Sequence, residues 1–126
     1  MELLLEWLFY ICWRLKLRNH NMDVVEHDRY IIINCVNSNS FDLLVTYLNQ
    51  HILDCPNLII NMLELDMKED VVIATLLPFC LNWQKRNKSF ILVSNFRKES
   101  LQGVISIKSL EEAIDFFHME ELTRNI

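Results

Sequence analysis

The chain has 126 residues, 52% of them hydrophobic, a formal net charge of −5, one glycine and two prolines. This length and composition give one domain with a real core and leave no low-complexity linker to a second. The acidic balance argues against nucleic acid as the main partner, and a single glycine removes every glycine-rich phosphate loop.

Residues 1–18 (MELLLEWLFYICWRLKLR) stand apart from the rest. Their apolar run falls short of the roughly 20 residues a membrane span needs. The basic residues follow it, the reverse of a secretory signal. Three readings stand: an extra amphipathic helix, a segment lying on a membrane surface, or a stretch outside the true protein, which would then start at Met22. The last is the expectation taken, because a regular domain pattern begins at Met22. The chain is thus divided into a 1–21 extension and a 22–126 domain.

From Met22 the elements follow in order. Met22 to Val25 is a short strand and Glu26 to Arg29 a polar turn. Tyr30 to Val36 (YIIINCV) is apolar and β-branched, the pattern of a buried strand. Ser40 or Asn39 is expected to cap a helix over 41–53, with Asp42 in its first turn. Its apolar face is Phe41, Leu44, Val45, Leu48 and Ile52, and Cys55-Pro56 ends it. Leu58 to Leu63 is a second buried strand, followed by an acidic loop from Glu64 to Glu69. Asp70 to Asn87 then turns helical, with Val72, Leu76, Phe79, Cys80 and Trp83 on one stripe. Pro78 lies inside this helix and removes the bond to the Ala74 carbonyl. Ser89 to Ser94 is a third buried strand, Arg97 to Leu101 one helical turn, and Val104 to Ile107 a short strand. Ser109 and Glu112 form a capping box for the last helix. That helix buries Leu110, Ala113, Ile114 and Phe117 and ends with Glu120, Glu121 and Arg124 in solvent. The order is ββαβαβ(α)βα.

Few residues in this pattern carry chemistry. Cys12, Cys35, Cys55 and Cys80 are far apart, with no CxxC motif and no Cys/His cluster, and read as reduced core thiols of a cytoplasmic protein. His20, His27, His51 and His118 are scattered, without ligand spacing. Glu64, Asp66 and Glu69 read as a solvated acidic loop in preference to a cation site, which needs convergent oxygens. Ser94, Ser100 and Ser106 lack a nucleophile-elbow context. Trp83 reads as a core anchor. No metal, cofactor or catalytic residue is expected. Glu69 and Asp70, at a helix start, are dipole partners or face a partner.

The strand–loop–helix around residues 58–72 resembles the STAS domain, the fold shared by bacterial anti-sigma factor antagonists and the cytoplasmic tails of sulphate transporters. The family pattern reads like LIIDLS…VDSSGL; Leu58-Ile59-Ile60-Asn61-Met62 and Glu69-Asp70-Val71-Val72 occupy those places. The resemblance covers about residues 22–126 and implies an α/β fold, a mixed β-sheet with helices mainly on one face. The tail Ser109 to Ile126 resembles the final helix of small STAS-like proteins from Bacteroidetes-type bacteria. Some of those carry a ribonuclease Z label, but the HxHxDH zinc motif that label implies is absent from this sequence. On this alignment the family's aspartate falls on Glu69, its phospho-accepting serine on Asp70, the next serine on Val71 and its glycine on Val72. No hydroxyl stands at the switch.

The resemblance implies a non-catalytic regulatory module that docks through Lys68, Glu69, Asp70, Val71 and Val72. The implied partner is of the anti-sigma factor or kinase-like type. Two other readings remain: a small-ligand carrier or enzyme with its site at the strand C-terminal ends, and a membrane-peripheral adaptor using residues 1–18.

Overall fold

The computed structural model describes residues 23–125. The expectations for residues 1–22, including the extension, its membrane reading and Cys12, lie outside the described residues. Five strands form one sheet in the order β1 (Asp23–Glu26), β2 (Ile31–Asn34), β3 (Leu58–Asn61), β4 (Phe90–Val93), β5 (Ile105–Ile107). β1 pairs antiparallel with β2, and every later pair is parallel. Three helices connect or follow them: α1 (Ser38–Gln50), α2 (Glu69–Lys85) and α3 (Leu110–Arg124), with a 3-10 turn at Lys98–Ser100.

The two-residue period of the central strands divides the core into two layers. Ile33, Leu58, Ile60, Phe90 and Leu92 point to one face, where α1 and α2 cover them. Ile32, Ile59, Ile91 and Val93 point to the other, where Ala113 and Phe117 of α3 cover them. Among the described residues two helices therefore share one face and α3 covers the other. Burial on both faces explains why these strands read as unbroken apolar runs.

Trp83 is fully buried and its indole N–H donates to the Pro56 carbonyl at 2.7 Å, so the ring anchors α2 over the start of β3. Pro78 and Ala74 lie on the solvent side of α2, where water can reach the carbonyl that the proline leaves without a partner. Cys35, Cys55 and Cys80 are buried and unbridged. Burial pushes the Cys35 and Cys80 thiols up to about 11, so both are neutral thiols at pH 7.

Three local expectations need correction. The α1 cap is Asn37, whose side chain accepts from the Ser40 N–H at 2.9 Å. Ser40 sits at the third helical position and returns the bond by accepting from the Asn37 N–H, so the helix starts three residues early. At its other end α1 stops at Gln50. His51 donates back to the Leu48 carbonyl, leaving Ile52 at the surface while Tyr47 fills the core. The end of α3 is not simply solvated. Ser89 donates to Glu120 at 2.8 Å and accepts from Arg124 at 3.2 Å, and Glu121 pairs with Arg29. Ser109 does cap α3, accepting from the Glu112 N–H at 3.2 Å.

Candidate functional site

The C-terminal ends of the parallel strands are where backbone groups and loops open toward solvent. The β3–α2 connection, residues 62–68, leaves the sheet there. Asn61 shapes its start: its amide donates to the Asn34 side chain at 3.0 Å and its side-chain oxygen accepts from the Leu63 N–H at 3.2 Å. Leu63, Glu64 and Asp66 then lie exposed, while Leu65 turns into the core.

The start of α2 sorts the five expected docking residues into three kinds. Lys68 stands at the cap position with extended backbone and no side-chain cap bond. Lys68, Asp70 and Val71 are exposed, Val71 at 50%. Val72 is 0% exposed and packs into the core with Ile73 and Leu76. It fixes the helix start and offers a partner nothing to touch, which removes it from the contact set. Glu69 is three-quarters buried and turned sideways. Its carboxylate accepts from the Ser100 hydroxyl at 2.9 Å, from the Arg97 N–H at 3.2 Å and from Arg97 Nε at 3.3 Å. The Ser100 bond, joined by Arg97, holds the Glu69 carboxyl below the usual carboxylate range in spite of its partial burial. Glu69 is thus a clamp between α2 and the 3-10 turn. Nothing in the sequence marks Arg97 and Ser100 as its partners.

Among the described residues no group of three His, Cys, Asp or Glu is placed to hold a metal ion. His27 stacks on Tyr30, and His51 sits beside Asp54 and Tyr47. The three weighed serines are all engaged: Ser100 with Glu69, and Ser94 with Ser106 at 2.6 Å. No helix among the described residues is long and apolar enough to cross a membrane.

The fold has counterparts among solved structures. The chain is similar to the anti-sigma factor antagonist SpoIIAA in its unphosphorylated form, with a TM-score of 0.59 and 15% identity, over 77% of this chain and 97% of that one. It is similar also to RsbS of Moorella thermoacetica bearing a serine-to-glutamate substitution, with a TM-score of 0.62 and 15% identity, over 82% of this chain and 98% of that one. The chain has a STAS-like fold. At this identity the likeness is one of fold. No protein-family model matches the chain, and no curated protein sequence does. Of the five residues the sequence singles out, Lys68, Asp70 and Val71 are exposed, Glu69 is engaged by Arg97 and Ser100, and Val72 is buried.

Proposed function

We propose that this chain is a non-catalytic, cytoplasmic docking module. It would bind a protein of the anti-sigma factor or kinase-like type through the exposed start of α2. The observation that carries the reading is the pairing of an exposed apolar residue, Val71, with exposed charges at Lys68 and Asp70 on a braced helix start. An apolar contact ringed by charge, on backbone that is already ordered, binds at low entropic cost. The STAS-like fold, shared with a protein named as an anti-sigma factor antagonist, supports the partner class.

Asp70 stands where the family resemblance puts a phospho-accepting serine. A phosphoserine carries about −1.5 to −2 charge, a carboxylate only one negative charge and two oxygens. The surface therefore has one fixed charge state and does not cycle by phosphorylation at this loop. The test is affinity capture with the full chain from an extract of its source cells. A stoichiometric protein whose retention is lost on Val71→Asp supports docking. Retention of a small molecule without any protein supports the carrier reading and overturns this one.

A further inference from the structure

We infer that the chain holds a second site, for a small organic anion, in the cleft between the 3-10 turn, β5 and α3. The cleft is about 800 Å³, within the range of small-molecule sites, roughly 300–1,000 Å³. Its charge runs against that of the chain. The whole molecule carries 17 Asp and Glu against 12 Lys and Arg, yet Arg97, Lys98 and Lys108 line this cleft and Glu99 is the one carboxylate among its lining residues. Among the described residues, neither Lys98 nor Lys108 is held in an ion pair.

Two of the lining residues form a hydroxyl pair. Ser94, 2% exposed, and Ser106 face each other with their hydroxyl oxygens 2.6 Å apart. Ser94 already accepts from the Phe96 N–H at 3.4 Å. Two hydroxyl protons serve this pair, and the bond between the oxygens uses one. No other acceptor for either hydroxyl stands among the described residues; with Ser94 donating to Ser106, the proton of the partly exposed Ser106 is left to an acceptor in the cleft. An apolar side completes the site: the partly buried Phe96 and Leu101 give a surface against which a flat ring can lie. Two cations outside any ion pair among the described residues, a hydroxyl pair and an apolar side suit a compact anionic head on an apolar body, such as an aryl phosphate or aryl carboxylate.

The site shares Arg97 with the Glu69 clamp but none of its lining residues is Lys68, Asp70 or Val71. It does not depend on the docking reading, since its test needs no protein partner. Phenyl phosphate, inorganic phosphate and benzyl alcohol are titrated separately into the full chain, and backbone amide shifts are followed by NMR. The expected result is saturable shifts at residues 94–98 and 104–108 with phenyl phosphate, weaker binding of inorganic phosphate, and none of benzyl alcohol. The double variant Lys98→Glu/Lys108→Glu weakens phenyl phosphate about tenfold or more, whereas Lys85→Glu on α2 leaves it unchanged. Shifts scattered over the basic surface overturn the site. So do equal binding of the neutral alcohol and indifference to the double charge reversal in a variant whose spectrum shows it folded.

Discussion

Val71 and Val72 are neighbours of one residue type, yet the structure gives them opposite work, and truncating each to alanine separates the two roles. Val72 is 0% exposed, packed with Ile73 and Leu76 under the sheet. Removing its two methyl groups loses about 1.6 kcal/mol of transfer free energy at ~0.8 kcal/mol per carbon. The cavity left behind adds to this, which puts Val72→Ala at about 2 to 3 kcal/mol. For a domain of this size that is a fall in melting temperature of roughly 10 °C or more. In urea it is a midpoint shift of about 1 to 2 M. Val71 is 50% exposed, so its truncation loses little burial and gains helix propensity. Val71→Ala should stay within about 0.5 kcal/mol of the parent. Urea titrations followed by far-ultraviolet circular dichroism, with Val71→Ala and Val72→Ala compared at equal slope, read both. If Val72→Ala costs less than Val71→Ala, or the two cost the same, the helical phase assigned to the start of α2 is wrong, and the docking set with it.

Other expectations follow from the caps and clamps. Ser40 is 0% exposed and accepts from the Val36 and Asn37 N–H groups at 2.9 Å each. Ser40→Ala leaves both donors without that acceptor; Asn37 is exposed, so water can replace its bond, and the cost by thermal unfolding should be about 1 to 3 kcal/mol, the range for one orphaned group; a change under about 0.5 kcal/mol contradicts the capping box. The Glu69 carboxyl is held below its ordinary range first by Ser100 and then by Arg97. Its stabilising contribution is therefore present above the unfolded carboxylate value of about 4.3 and is lost as pH falls through the lower folded value. Stability measured from pH 7 down to pH 3 should fall less steeply for Glu69→Gln than for the parent, and parallel curves would show that the clamp is not formed in solution.

Much of the frame was legible from the residues. Ile31 to Asn34, Leu58 to Asn61 and Phe90 to Val93 announced themselves as apolar runs because both faces of the sheet are covered. The stripe of α2 was equally plain, and its phase already set Val72 on the buried side, which conflicts with counting it as a contact. The capping box of α1 was missed because Ser40, a good cap residue, serves at the third helical position while Asn37 caps. The buried Tyr47 was missed because an aromatic ring with a polar tip gives no clear apolar signal. The side-chain links that shape the surface were not legible at all. Glu69 meets Arg97 and Ser100 across separations of 28 and 31 residues, and Ser94 meets Ser106 across 12. Those meetings depend on the parallel register of β4 and β5 and on the course of the 3-10 turn, which no local pattern encodes.

The central claim is that a fixed carboxylate at the start of α2 sets the affinity for a protein partner. The direct measurement is calorimetric titration of the captured partner with the parent, Asp70→Ser and Asp115→Ser, the last removing an exposed carboxylate from α3. The account predicts that Asp70→Ser shifts affinity by about 1 kcal/mol or more and that Asp115→Ser leaves it unchanged. A complex indifferent to Asp70, or one gated by phosphate on Thr75 or Ser89, would contradict it.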